Sequence, residues 1–278
     1  MRKIKFPLIV SDYDGTLLRS DSTVSEETKE KIHEYIQAGG RFAVCSGRLL
    51  KSVYNEVEKL NLTGIVGAFQ GAVIGDISSK QVLFEGHIPP QGAARICRKC
   101  EELGLHTHIY DVENFYTNMS DEKLRDYEKL CGVKGILIDG ELLSERILRT
   151  DMKVQKILVL VDEWEKETVY QTLNQAFGEE FYVTYSAAFL VEITNKNFSK
   201  ASALEYIAKY YNVPLEQTVA VGDNYNDTPM IARAGLGIAV GNADERLKEV
   251  ADVIFDYTND ENAIGKIIDK YGFYGVNE

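Results

Sequence analysis

The sequence predicts an α/β protein with a mainly parallel sheet, interrupted by an inserted α+β segment. Short apolar runs alternate with helical patterns at both ends of the chain, the rhythm that builds parallel sheets through right-handed crossovers. Acids stand where two of those runs end: Asp12 and Asp14 follow Leu8-Ile9-Val10-Ser11, and Asp223 and Asp227 follow Val219-Ala220-Val221. Open sheets of this kind place their ligand crevices at strand carboxyl ends. From Gly86 to about Phe189 the strands instead alternate in polarity, as in an antiparallel sheet with one covered face.

In order, residues 1–85 read as strand Phe6–Ser11, a helix about Ser25–Ala38, strand Arg41–Cys45, a helix about Leu49–Leu60 and strand Gly64–Phe69. The first run is short, apolar and continuous, as a strand covered on both faces requires. Ser25 with Thr28 and nearby glutamates marks a helix start, and Gly39-Gly40 marks its stop. Within the insert, helical spacing falls at Gly92–Leu103, Asp121–Cys131 and Glu163–Phe177, and strands at Leu105–Tyr110, Asn114–Asn118, Lys153–Val161, Phe181–Tyr185 and Phe189–Ile193. The stretch Gly132–Thr150 has no clear period and is left unassigned. Residues 196–278 resume the first rhythm: a helix about Lys200–Tyr211, strand Thr218–Val221, a helix about Asn226–Ala234, strand Leu236–Val240 and a helix from Glu261. The expected division is a core of residues 1–85 and 190–278 around an insert of 86–189. The joins near Leu83–Pro90 and Ala187–Asn195 together can act as a hinge.

At 278 residues the chain suits one large or two smaller cores, and its 45% hydrophobic content is ordinary for a globular protein. With 31 basic and 43 acidic residues the net charge is −12. That balance argues against a general nucleic-acid or anionic-membrane binder. The amino-terminal positive charge precedes too short an apolar stretch for a signal peptide, and no later run is long enough to span a bilayer, so a cytoplasmic location is expected. Four cysteines are too sparse for a disulfide scaffold. Cys97 and Cys100 with His106 and His108 have the residue types of a zinc site. The better reading puts both thiols on a buried helical stripe with Ala93, Ile96 and Leu103. The sequence leaves oligomeric state open.

Asp-x-Asp-Gly is also ordinary turn vocabulary, so Asp12 to Gly15 alone fits a surface turn. The second acidic constellation, Gly222-Asp223-Asn224-Tyr225-Asn226-Asp227, raises the functional reading above it. Gly15 lets the chain turn sharply, and Thr16 offers a hydroxyl and an amide to an anion held beside a cation.

The ordered set Asp12-Tyr13-Asp14-Gly15-Thr16-Leu17-Leu18, Ser46-Gly47-Arg48, Lys200 opening a helix, and Gly222 to Asp227 resembles the four motifs of the haloacid dehalogenase-like (HAD) hydrolases. Ala239-Val240-Gly241-Asn242-Ala243 and Tyr257 to Asn262 are similar to the Cof-like sugar-phosphatase branch. The resemblance implies a Rossmann-like three-layer core with an α+β cap domain inserted after the third core strand. It departs at Gln70, where Cof-like proteins usually carry Asn, and at Ala201, where Gly is common.

By that resemblance Asp12 attacks phosphorus to form an aspartyl-phosphate, and Asp14 protonates the leaving alcohol and then activates water. Lys200 bridges nucleophile and phosphoryl oxygen. The phosphate-binding set is Tyr13, Thr16, Ser46, Gly47, Lys200 and Asn226, the last as a neutral donor. A hard cation, Mg²⁺, would be held by the side chains of Asp12 and Asp223 and the backbone carbonyl of Asp14, with Asp227 supporting. Arg48 pairs with neighbouring acids in this pattern. The implied activity is hydrolysis of a small phosphorylated metabolite, most simply a sugar phosphate. A phosphosugar mutase using the same phosphoenzyme and a non-catalytic phospholigand-binding regulator are the alternatives. Tyr110, Phe115, Tyr116, Tyr182 and Tyr185 fit core or cross-strand pairs better than a substrate platform.

Overall fold

The computed structural model describes residues 2–187 and 189–275. β1 (Leu8–Ser11) is buried throughout and runs to α1 (Glu26–Gln37), whose start is fixed by Ser25 Oγ accepting the Thr28 amide at 3.1 Å. β2 (Arg41–Val44) pairs in parallel with β1. α2 (Leu50–Lys59) leads to β3 (Ile65–Ala68), which meets β2 through one parallel bridge, Cys45 to Gly67. β3 otherwise pairs antiparallel with β4 (Val73–Asp76), and β4 with β5 (Val82–Glu85). The sequence reading has no strand at either place. The turn between β3 and β4 uses left-handed Phe69 and Gln70, residue types that seldom mark one.

α3 (Pro90–Glu102) leads into a second sheet. Its strands are β6 (His106–Tyr110), β7 (Phe115–Thr117), β8 (Ile136–Leu137), β9 (Lys156–Leu160), β10 (Phe181–Ala187) and β11 (Leu190–Asn195), in the order β10-β11-β9-β6-β7-β8. The paired strands are antiparallel apart from β7 with β8. α4 (Glu122–Cys131), α5 (Leu143–Thr150) and α6 (Lys166–Phe177) complete this unit. The unassigned stretch 132–150 thus holds a two-residue exposed strand and a helix that lacks a side-chain cap. Sheet pairing runs on to Asn195, past the expected return at residue 190. Ala188, inside the second expected join, lies outside the described residues.

The chain returns through α7 (Lys200–Tyr210) to β12 (Thr218–Gly222), which pairs in parallel with β1 on the side away from β2. α8 (Thr228–Arg233), β13 (Leu236–Ala239), α9 (Glu245–Lys248), β14 (Val253–Ile254) and α10 (Ala263–Ile267) finish the core, whose parallel sheet reads β14-β13-β12-β1-β2. The α/β fold with a mainly parallel core sheet is the one expected. α8 starts two residues later than expected because Tyr225–Asp227 forms a 3₁₀ turn, and α10 starts after left-handed Asn262 (φ 62°). No helix among the described residues is long and apolar enough to cross a membrane.

The second sheet has two different faces. Ile109, Ile157, Val159, Val191 and Ile193 pack with α3, α5 and α6 residues, whereas Tyr110, Leu158, Leu160 and Leu190 join the cluster that includes the core. Period-two alternation therefore separates the four groups of the zinc reading. Cys97 and Cys100 lie in the helix-side cluster, while His108 stacks on Phe115 and meets Tyr127 on the other face.

His108 is fully buried, its Nε2 lies 3.0 Å from His106 Nε2, and its Nδ1 has no partner among the described residues. Burial, with His106 and Lys156 adding to it, holds its pKa well below the ordinary 6.5. A depressed histidine supports stability above its unfolded pKa and withdraws that support as pH falls below it. The contribution of this group to stability in urea unfolding is therefore expected to decline from pH 7 to pH 5, by up to about 1.4 kcal/mol per unit, against the opposite slope of carboxylates whose pKa burial raises. His108→Phe is expected to remove that decline; an unchanged pH dependence would exclude His108 as its source.

Candidate active site

Strand register builds the site. Ser11 lies opposite Val44 on one side and Val221 on the other, so the residues after β1, β2 and β12 emerge together at one sheet edge. Asp12, Ser46 and Asp223 come from those three positions. Lys200 reaches the same place from the first turn of α7, where a helix dipole disfavours a cation. Carboxylates outweigh that cost: Lys200 Nζ lies 2.6 Å from Asp12 Oδ1 and 2.5 Å from Asp227 Oδ1, with lysine and both acids buried. Asp227 Oδ2 accepts the amides of Asp223 and Asn224, each at 3.0 Å, and Thr16 Oγ1 donates to Asp223 Oδ1 at 2.6 Å.

One ammonium does not balance this cluster. Burial, and then the charge of Asp227, pushes Asp12 well above the ordinary carboxylate range and Asp223 up to about 7. Burial opposes the charge on Lys200, yet Asp12 and Asp227 raise it well above its usual value. One ligand oxygen from each of Asp12, Asp223 and Asp227 fits within 4.8 Å, an all-oxygen set suited to a hard cation. Asp12 and Asp223, the expected ligand pair, thus lie together, and Asp227 is engaged on both oxygens, by Lys200 and by the Asp223 and Asn224 amides.

The remaining expected residues divide. Asp14 is half-exposed and both its oxygens are held by Arg48, at 2.8 and 2.5 Å, the acid pairing expected of that arginine. Ser46 Oγ accepts the Arg48 amide at 3.1 Å, and Gly47 lines the cavity. The Tyr13 hydroxyl turns away from the cluster and donates to Glu56 at 2.8 Å. The Thr16 hydroxyl is spent on Asp223. Asn226 differs from a simple donor: its Nδ2 donates to Gln70 Oε1 at 3.1 Å and its Oδ1 has no partner among the described residues.

A cavity of about 250 Å³ opens beside Asp12, Asp14, Gly47 and Asn226. Its opposite wall includes Tyr127, Lys156, Leu190 and Glu192 from the second sheet and α4. Sequence reasoning missed Lys156 and Glu192. Their signal was a charge at one end of Lys156-Ile157-Leu158-Val159-Leu160 and another inside Leu190-Val191-Glu192-Ile193, both otherwise apolar up to that point.

The profile of the haloacid dehalogenase-like hydrolase family matches residues 9–268, nearly the whole chain. The chain belongs to the haloacid dehalogenase-like hydrolases. The Cof-like resemblance in its motifs holds with it. This HAD-like hydrolase is 29% identical to phosphatase YwpJ of Bacillus subtilis over 285 residues, covering 94% of this chain and 98% of that protein. It is 27% identical to 5-amino-6-(5-phospho-D-ribitylamino)uracil phosphatase YitU of the same organism, covering 95% and 97%. A solved haloacid dehalogenase-like hydrolase from B. subtilis superposes with a TM-score of 0.84 at 27% identity, covering 95% of this chain and 99% of that one.

Gly15 is one of the tightest points of the site. It has φ +78°, and a Cβ there would lie 2.5 Å from Asp223 Oδ2. Gly15→Ala is expected to cost about 1–3 kcal/mol of stability and to weaken divalent-cation binding by displacing Asp223. Denaturant unfolding and calorimetric titration check the two effects; unchanged cation affinity would separate Asp223 from the cation site.

Proposed function

We propose that this hydrolase is a Mg²⁺-dependent phosphatase of small phosphorylated metabolites, sugar phosphates foremost. The observation that carries the reading is Asp12: a buried carboxylate, gripped by Lys200 at 2.6 Å, on the wall of a cavity sized for a small substrate. With Oδ1 held by the ammonium, Oδ2 is the oxygen for attack on phosphorus, giving an aspartyl-phosphate that a second displacement by water clears. Ser46 and the Gly47 amide hold phosphoryl oxygens, and Lys200 follows the charge as it moves from carboxylate to phosphate. Asp14 gives its proton to the leaving oxygen and takes one from water, and to do so it turns away from Arg48.

The second sheet, through β11 (Leu190–Asn195), and its helices act as a cap over the core that carries the parallel sheet, and the two together enclose the leaving group. The cation would be held by Asp12, Asp223 and the Asp14 carbonyl, with Asp227 supporting. Bound there, Mg²⁺ supplies the positive charge that lets these carboxylates and a phosphate share one site. The all-oxygen donor set and the raised pKa values of Asp12 and Asp223 support this fit. The relative named for 5-amino-6-(5-phospho-D-ribitylamino)uracil supports a small phosphorylated substrate. Retention of both Asp12 and Asp14 favours hydrolysis over phosphoryl storage or ligand sensing.

Asp12→Asn is expected to lower release of inorganic phosphate from a sugar-phosphate panel by more than about a thousandfold, with circular dichroism unchanged. Chelation is expected to abolish release and added Mg²⁺ to restore it. Undiminished turnover in Asp12→Asn, or activity indifferent to chelation, would overturn the respective half of the reading.

A further inference from the structure

Gln70 lies in the left-handed turn after β3, with φ +50° at Phe69 and +57° at Gln70. The two amides donate to Arg48 O at 3.0 Å and Ser46 O at 3.1 Å, so the turn is clamped onto the loop that carries Ser46 and Gly47. Backbone of this kind persists only where its surroundings over-determine it. The side chain, 1% exposed, bridges two distant parts of the chain. Gln70 Nε2 donates to Glu192 Oε2 in the second sheet at 3.0 Å, and Gln70 Oε1 accepts from Asn226 Nδ2 at 3.1 Å. Gly47 leaves the room this requires, because a Cβ there would lie 2.5 Å from Gln70 Nε2.

The bridge has a direction. A carboxylate only accepts hydrogen bonds, so Glu192 fixes which end of the Gln70 amide faces it. Gln70 must then turn Oε1 toward Asn226, and Asn226 must answer with Nδ2. Asn226 Oδ1 is left as an acceptor at the cavity wall, without a partner among the described residues. Glu192 is itself steered by its diagonal neighbour Lys156, 3.6 Å away, whose Nζ donates to Gly47 O at 2.8 Å.

We propose that Gln70 is a positioning residue that sets the orientation of Asn226 toward the substrate only while Glu192 is seated against it. The inference rests on the phosphatase reading for its kinetic test, and the length of the glutamine side chain is what lets it span from Asn226 to Glu192.

The experiment compares Gln70→Leu, Gln70→Glu, Glu192→Gln and the double variant Gln70→Glu/Glu192→Gln, with p-nitrophenyl phosphate as substrate and melting temperature recorded for each. Gln70→Leu and Gln70→Glu are expected to lose about tenfold to a hundredfold in kcat. In the double variant the introduced glutamine donates to the introduced carboxylate, which still accepts from Asn226. Its kcat is expected to return to within about threefold of wild type, a recovery that loss of packing alone would not produce. Wild-type kcat in Gln70→Leu, or a folded double variant no better than Gln70→Glu, would overturn the proposal. If the wild-type protein releases no phosphate at all, the functional reading fails and NMR decides this one. The Asn226 side-chain amide signal, assigned by its absence in Asn226→Asp, is expected to shift in Glu192→Gln, and an unmoved signal would overturn it.

Discussion

The structure turns on one ammonium shared by two buried carboxylates. Lys200 lies within 2.6 Å of both Asp12 and Asp227, and the three groups are almost wholly removed from water. Desolvating three charges is costly, and the mutual attraction offsets it only with close geometry and further hydrogen bonds. Asp227 has those bonds in the Asp223 and Asn224 amides. Asp12 and Asp223 are less well compensated, which is why burial raises both. A site left short of positive charge is one that a cation completes. The same shortage explains the position of Lys200 at a helix start, where nothing but nearby carboxylates favours a lysine.

Parallel register converts separated sequence into that cluster. Because Ser11 is flanked by Val44 and Val221, the residues after each strand leave the sheet at the same level. A slip of one residue in either pairing would turn Asp12 or Asp223 into the wrong layer. Leu8, Ile9 and Val10, fully buried on both faces, anchor the strand that carries Asp12 in the sheet. The apolar strands are therefore part of the catalytic geometry, although none of their side chains reaches the cavity.

Much of this was legible because parallel strands advertise themselves. Continuous apolar runs ending in acids located Asp12, Asp14, Asp223 and Asp227, and Ser25 and Gly39 marked the first helix by the usual chemistry of helix ends. What escaped was encoded in conformation rather than residue type. Phe69 and Gln70 adopt left-handed backbone without the glycine or asparagine that normally announces it, so the β3–β4 hairpin was invisible. Residues 132–150 hold elements too short and too exposed to show a period. Side-chain direction was also beyond reach: Tyr13 sits inside the first motif, yet its hydroxyl is drawn to Glu56 and away from the cluster.

The second sheet shows how one unit carries two tasks without conflict. On β9 and β11 every other residue, Ile157, Val159, Val191 and Ile193, packs against that unit's own helices. The intervening positions, Lys156, Leu158, Leu190 and Glu192, face the catalytic core, and three of those four line the cavity. Stability of the unit and chemistry of the cavity are thus written on opposite faces of the same strands. A change on the core-facing side alters the lining of the cavity while the helix-packed side keeps the sheet folded. Rigid strands, rather than a mobile loop, also hold Lys156 and Glu192 within hydrogen-bond reach of Gly47 and Gln70. Contacts of that kind exist only when the sheet is seated on the core, so the seam that walls the cavity is also the seam that holds the Ser46–Gly47 loop in place.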